Sequence, residues 1–173
     1  DLSAAVDIPA LILGGVGVQP GGPEVPEGAV PLPENATIAN LIGPDQRGLI
    51  EALAAERRAC AAAYGVRDLP GTDDWIAMFA GTPRGEGSRP VPTREAARAM
   101  MRDGVIGSLV PLLSAAGLSG TPVPRTEALV RMTEGLLGVD IAAAGRRLDT
   151  IGIAAADVAD ARRVLDALAT GAR

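Results

Sequence analysis

The stretch RAMMRDGVIGSLVPLLSAAG, from Arg98 to Gly117, places a group of charged residues directly before a long apolar run. The apolar run predicts a buried helix, because nothing in it resembles a linker. Core packing alone gives no reason for Arg98, Arg102 and Asp103 at its start. These charges are either a solvated helix end or the wall of a binding site.

The composition of the chain predicts an all-α fold. Its 173 residues are enough for one ordinary domain with its own core, and 47% of them are apolar. Only 2% are aromatic, so Ala, Leu, Val, Ile and Met have to fill the core. Side chains of this kind favour close packing of helices over a β-sandwich or a barrel.

Charge and cysteine content exclude several classes of partner and site. The 16 basic and 21 acidic residues give a net charge of −5, which predicts no nucleic-acid partner. Because the chain has no His and one Cys, neither a metal site nor an internal disulfide is expected. Cys60 is predicted to pack between helices. No segment has the pattern of a membrane span or a signal peptide, so a cytoplasmic protein without a membrane partner is expected.

The N-terminal residues 1–33 are predicted to form a glycine- and proline-rich arm. Five prolines between Pro20 and Pro33 exclude a regular helix from that part. The preceding apolar run, PALILGGVGV, predicts one short buried strand. No Gly-Lys-Ser/Thr ending and no helix follow its glycines, so neither a P-loop nor a dinucleotide-binding motif is predicted.

Residues 34–173 show a helical pattern with regular stop signals, which predicts six to seven helices in one domain. Pro44 opens the first long helix and Gly65 ends it, while Thr72 and Thr93 are predicted N-caps. Pro111 is expected to kink the helix of the apolar run. Further signals predict a stop at Gly138, a helix capped by Asp140, and a last helix over Ala154–Thr170 with Val158, Ala161, Val164, Leu165 and Leu168 facing inward.

Four segments follow one another in a recognisable order within residues 41–153. They are AERRACAAAYG, an R-x-x-x-x-D unit before the apolar GSLVPL run, GTPVPRTEALVRMTEGLLGVD, and GRRLDTIGI. This order resembles the C-terminal α-helical domain of the NAD(P)-dependent octopine/nopaline (opine) dehydrogenase family.

The resemblance implies a helical substrate and dimerisation domain like the C-terminal domains of phosphogluconate and opine dehydrogenases. It implies that NAD or NADP is bound mainly by a Rossmann domain that this chain lacks, supplied as a preceding domain or a separate subunit. The start at Asp1 instead of Met favours a preceding domain. The implied substrate is a small carboxylate, a 2-oxo acid whose imine with an amino acid is reduced, or a related carbonyl. The chain alone is not expected to be a competent enzyme, and a homodimer is the other partner implied.

The R-x-x-x-x-D unit supplies the residues that the resemblance assigns to the site. Arg98 matches the arginine that binds the substrate carboxylate, and Asp103 matches the catalytic acid that orients a histidine. A planar guanidinium suits this role because it binds a carboxylate through two hydrogen bonds and stays charged. Arg102 and Trp75 are the other predicted substrate-binding residues, and a core or dimer contact is the alternative for Trp75.

The chain departs from the family at the position of the catalytic histidine. The matching segment is VDIPALILGG, in which Asp7 or Ile8 stands where the family has His. An alternative function is therefore a non-catalytic helical dimerisation or interaction domain descended from the same family. In that interpretation Arg98, Arg102 and Asp103 are a solvated helix end.

Overall fold

The computed structural model of the protein describes residues 4–13, 36–80 and 89–170. Within these ranges the chain is mostly helical and has no β-strand, in agreement with the predicted all-α class. The elements are the helices α1 (Ala4–Leu13), α2 (Pro44–Ala63), α3 (Thr72–Ala80), α4 (Arg94–Gly104), α5 (Val110–Ser119), α6 (Pro124–Leu137) and α7 (Val158–Thr170), the 3-10 turns Ile38–Leu41 and Ala142–Ala144, and the π-helical segment Val105–Leu109. No helix within the same ranges is long and apolar enough to cross a membrane.

Helix α1 lies at the centre of the bundle, where the sequence predicts a short strand. That prediction is wrong, because Ala4–Leu13 is helical and its residues from Ala4 to Leu11 are buried. A segment buried on all sides has no amphipathic period, so its apolar pattern does not separate a helix from a strand. A helix satisfies its own backbone hydrogen bonds and needs no neighbouring strand. The rest of the predicted arm, residues 14–33, lies outside the described residues.

The main core is formed by aliphatic side chains from α1, α2, the π-helical segment and α6. Its fully buried members include Ile8, Ile50, Leu53, Val105, Leu109 and Leu129. A second, smaller cluster joins Cys60 to Ala116 and Val123. The predicted packing role of Cys60 is therefore confirmed.

Most of the predicted helix boundaries are confirmed by local geometry. Helix α2 begins at Pro44, and Gly65 follows its end with a φ of 81° that favours glycine. The Thr93 hydroxyl accepts a hydrogen bond from the Ala96 N–H at 3.3 Å, which caps α4. Gly138 ends α6 with a φ of 70°.

The predicted cap at Thr72 is wrong. Helix α3 begins at Thr72 itself, since the Gly71 carbonyl accepts the Trp75 N–H at 2.9 Å. The Thr72 hydroxyl is buried and has no hydrogen-bond partner among the described residues.

Pro111 is accommodated by the π-helical segment that joins α4 to α5. The Val110 N–H bonds to the Val105 carbonyl instead of the Ile106 carbonyl that a regular α-helix would use. The Ile106 carbonyl accepts the Arg146 N–H at 3.1 Å. This hydrogen bond ties the C-terminal turns to the helix of the apolar run.

The helix predicted after Asp140 is wrong as well. The Asp140 carboxylate accepts the Ala143 N–H at 3.1 Å, as an N-cap would, but only the 3-10 turn Ala142–Ala144 follows. Gly145 then adopts an extended conformation against α5. A Cβ atom at Gly145 would lie 2.5 Å from the Val110 Cγ1 atom, so the close backbone approach requires glycine and ends the helix.

Helix α7 is confirmed from Val158 to Thr170, but its predicted inward face is only partly correct. Ala161 is buried, whereas Leu165 is 43% and Leu168 is 66% exposed. The inward prediction for these two leucines is wrong, because the apolar side of the helix extends beyond the surface that the bundle covers.

Candidate functional site

Arg98 lies on the exposed side of α4 and contacts the end of α6. Its Nη1 atom donates to the Leu136 carbonyl at 3.1 Å, and its Nη2 atom donates to the Leu137 carbonyl at 3.2 Å. The last carbonyls of a helix have no partner within the helix, and a cation is favoured next to them. Arg98 therefore holds the α4 and α6 helices together, and its guanidinium is fixed in place.

The structure brings Arg102 and Asp103 together at the end of the same helix. The Arg102 Nε atom donates to the Asp103 Oδ1 atom at 3.0 Å, and the two side chains are 55% and 66% exposed. An exposed ion pair of this kind contributes at most about 1 kcal/mol to stability. No hydrogen bond or ion pair joins Arg98 to Asp103 within the described ranges, and their predicted roles stay predictions.

Of the two residues predicted to match the family's histidine, one is a core residue and the other forms an ion pair. Ile8 is fully buried. Asp7 is 4% exposed, and its two carboxylate oxygens accept hydrogen bonds from the two terminal nitrogens of Arg89. The Arg89 carbonyl in turn accepts the Ile38 N–H at 2.9 Å. Asp7 thus ties α1 to the segment before α4.

Helix α1 packs directly on the charged end of α4. A Cβ atom at Gly104 would lie 2.8 Å from the Ala4 Cβ atom, so the two helices approach closely at a glycine. Gly104 immediately follows Asp103 in the chain. The helix that carries Asp7 is therefore a direct neighbour of the helix that carries the R-x-x-x-x-D unit.

Arg57 on α2 and Trp75 on α3 form a buried contact that the sequence does not predict. Arg57 is 6% exposed, and its Cζ atom lies 3.9 Å from the centroid of the Trp75 ring, which is itself 1% exposed. A desolvated cation–π contact of this type contributes about 2 kcal/mol. Trp75 is a core residue, as the alternative for it predicts.

Two of the three guanidinium nitrogens of Arg57 are not satisfied by hydrogen bonds. Its Nε and Nη2 atoms are buried without a hydrogen-bond partner in the described part of the chain. Burial lowers the pKa of Arg57, and the charge of Arg58 lowers it further. An arginine nevertheless stays charged in proteins, so Arg57 is a buried cation.

A cavity of about 30 Å³ lies beside this pair. A water molecule needs roughly 10–15 Å³ measured in this way, so the space holds about two water-sized atoms. Ser108, one of its lining residues, lies on the π-helical segment, and π-helical turns occur frequently at functional sites. The cavity lies between α1, α2, α3, α5, α6 and the π-helical segment. It is lined by Ala5, Leu53, Arg57, Trp75, Ser108, Leu109, Leu112 and Thr126. Arg98, Arg102 and Asp103 are not among its lining residues.

Glu56, the neighbour of Arg57 on α2, is buried to the same extent but is fully bonded. Its Oε1 atom accepts the Arg125 N–H at 2.8 Å. Its Oε2 atom accepts the Thr126 N–H at 2.9 Å and the Thr126 hydroxyl at 2.8 Å. Glu56 thus binds the free N–H groups in the first turn of α6 and carries the charge that a helix N-terminus favours.

Arg57 could have been found from the spacing of the α2 sequence. It lies four residues after Leu53 and three before Cys60, which places it on the buried face. The next residue, Arg58, lies at the surface, where its guanidinium forms a 3.9 Å ion pair with the Glu51 carboxylate. The sequence signal that distinguishes Arg57 from Arg58 is that Arg57 lies in register with the apolar residues of the helix.

Metal binding has no support within the described ranges, where no group of three or more His, Cys, Asp or Glu residues could hold an ion. No protein-family model and no curated protein matches the sequence. The resemblance to opine dehydrogenases rests on the sequence motifs alone.

Proposed function

We propose that the chain is the substrate-binding helical domain of an opine-dehydrogenase-like, NAD(P)-dependent oxidoreductase. Its substrate would be a 2-oxo acid condensed with an amino acid, or a related carbonyl. The observation that carries this proposal is the close packing of α1 on α4 at Ala4 and Gly104. It supports the proposal because the helix whose segment would replace the family's histidine packs against Gly104, the residue after Asp103. The buried Cys60 fits a reducing compartment, so the cytoplasm is the proposed location.

The exposure of the α4 charges fits a site that is completed by a second domain. A wall of an interdomain cleft is exposed when the helical domain stands by itself. The two hydrogen bonds from Arg98 to α6 would hold its guanidinium ready for a substrate carboxylate. The dinucleotide would supply the hydride from a Rossmann domain or subunit that packs against this face.

The role of this chain in the reaction would be to bind and orient the substrate. No His is present, and Asp7 is engaged by Arg89. Asp103 is the proposed catalytic acid, placed beside Arg102, and would act on the substrate directly or through water. Arg102 would add a second positive charge for the carboxylate.

The test is NAD(P)H oxidation by a preparation that contains both the dinucleotide-binding part and this chain. With pyruvate and an amino acid as substrates, Arg98→Met is expected to raise the KM for pyruvate about ten- to a hundredfold, the cost of a lost charged hydrogen bond. Arg94→Met is the matched control, because Arg94 is exposed one turn earlier on the same helix. Absence of turnover, or equal effects of both variants, would contradict the proposal.

A non-catalytic dimerisation domain is the second candidate. The observation that favours it is the set of apolar side chains on the outer faces of α6 and α7. Met132 and Leu136 are 41% and 51% exposed, and Leu168 is 66% exposed. A dimer in solution that shows no turnover in the assay above would favour this function over the enzymatic one.

A further inference from the structure

We propose that the outer face of α6 is the contact surface of a homodimer, in which the α6 helices of two copies pair in antiparallel orientation. The outer α6 face is formed by the exposed residues Ala128, Met132, Gly135 and Leu136. The proposal deepens the second candidate function, on which it rests, by assigning a surface and a register to the dimer. It does not require the dehydrogenase activity and is compatible with it.

The first argument is that α6 has two contact faces and that the bundle uses only one of them. The residues that face the core are Thr126, Leu129, Val130 and Thr133. On the outer α6 face, Ala128, Met132 and Gly135 follow one another at intervals of four and three residues. This spacing is typical of a helix that pairs with a second helix along its length.

The second argument is that large and small side chains alternate on this face. Met132 and Leu136 are 41% and 51% exposed, and they project beside the small residues Ala128 and Gly135. A Cβ atom at Gly135 would meet no other atom within 4 Å, so the surface beside it is open. Helices pack when the large side chains of one fill the gaps of the other. The outer α6 face therefore has both the projections and the gaps that pairing with an identical face needs.

The third argument is that one antiparallel register satisfies the apolar contacts and the charges together. With a two-fold axis beside residues 132 and 133, Leu136 of each copy meets Ala128 of the other, and Met132 meets Gly135. Each of these pairs is then within about 3 Å along the helix axis.

The same register opposes unlike charges beside the apolar contacts. The exposed Arg131 of each copy lies level with the partly exposed Glu134 of the other. Because the interface of a two-fold dimer is formed by the same surface of both copies, each of these contacts occurs twice. Complementary charges fix the register of an interface and disfavour other partners, which is why a second copy is the proposed occupant.

The size of the outer α6 face predicts a weak dimer. Helix α6 has 14 residues and is therefore about 21 Å long. A pair of helices of this length buries less than the roughly 800 Å² per partner of a standard stable interface. The expected Kd lies between about 10 μM and about 1 mM.

Sedimentation equilibrium of the chain over this range of concentrations tests the dimer and its surface. Met132→Glu is expected to raise the Kd at least about tenfold, because it places two carboxylates at the two-fold axis. The variant should fold, since Met132 is exposed. Leu168→Glu is the matched control, because Leu168 is 66% exposed but belongs to α7, and it should retain the wild-type Kd.

Disulfide cross-linking tests the register. In a Cys60→Ala background, Met132→Cys places the introduced thiols of the two copies next to each other at the axis, so oxidation should give a covalent dimer. In Ala128→Cys the two thiols are about 14 Å apart along the helices, which is too far for a disulfide. Efficient cross-linking is therefore expected for the first variant and not for the second.

The proposal is overturned by any of three results. The first is a wild-type chain that stays monomeric at every concentration. The second is a dimer that is weakened by Leu168→Glu and not by Met132→Glu, because the copies would then meet through α7. The third is cross-linking of Ala128→Cys as efficient as that of Met132→Cys. Since none of these measurements uses turnover, the dimer and the dehydrogenase proposal fail independently.

Discussion

Glu56 and Arg57 are consecutive residues of α2 and are each 6% exposed, yet their surroundings are opposite. The carboxylate of Glu56 accepts hydrogen bonds from the first turn of α6, and every oxygen is used. The guanidinium of Arg57 stacks on Trp75 and leaves two buried nitrogens without a partner. Equal burial therefore does not mean an equal role, because the carboxylate is hydrogen-bonded to a second helix and the guanidinium is held by a stacking contact.

The largest expected effect comes from removing the bonded charge. Glu56→Ala leaves the first N–H groups of α6 and the Thr126 hydroxyl without their acceptor, in a buried position. Breaking a buried charged network by removing one partner costs about 3–5 kcal/mol. The free energy of unfolding from urea titration measures this loss.

The matched control for that prediction is Glu51→Ala on the same helix. Glu51 is exposed and forms only a 3.9 Å ion pair with Arg58, so its loss should change the free energy of unfolding by less than about 0.5 kcal/mol. Equal losses for the two variants would show that the hydrogen bonds of Glu56 are not what stabilises α6.

The unpaired charge is expected to behave differently. Arg57→Met loses the stacking contact on Trp75 but also removes the cost of two buried nitrogens without a partner, so the free energy of unfolding should change by less than about 1 kcal/mol. Urea titrations of the wild type and the variant measure this difference. A loss as large as that of Glu56→Ala would mean that Arg57 is already paired.

The parts of the fold that could be predicted are those encoded by neighbouring residues. Pro44 at the start of α2, the Thr93 cap and the glycine at position 138 act within one helical turn, so the sequence contains their whole cause. Helix α1 and the turn at Gly145 depend on other helices. Helix α1 is helical because other helices surround it, and Gly145 is extended because Val110 lies against it.

The same distinction explains which site residues could be predicted. The α4 charges were visible as a local anomaly before an apolar run, and their exposed placement follows from the helix itself. The stacking of Arg57 on Trp75 requires α2 and α3 to pack in one particular way, which no local pattern specifies. Only the register of Arg57 with Leu53 and Cys60 indicates that it is buried.

The smallest expected effect concerns Cys60, which lies one turn after Glu56 on α2 and is buried without a charge. Burial raises the pKa of the Cys60 thiol, and this outweighs a hydrogen bond with Ser119 that lowers it. Above about pH 8.5 the unfolded chain loses the thiol proton while the native protein keeps it. The native state then binds more protons, so the free energy of unfolding falls as pH rises until the native thiol ionises as well.

Cys60→Ala should remove this part of the pH dependence. Urea titrations between pH 7 and 10 are expected to show wild type and variant running parallel below about pH 8.5 and wild type falling more steeply above it. Burial also raises the pKa of Tyr64, with the same sign but at higher pH, so Tyr64→Phe is the control that leaves the lower step in place. Parallel curves over the whole range would mean that the thiol ionises as readily in the native protein as in the unfolded chain. A thiol that is neutral at pH 7 can be buried without an ionic partner, and Arg57 differs from it because a guanidinium has no neutral form to adopt.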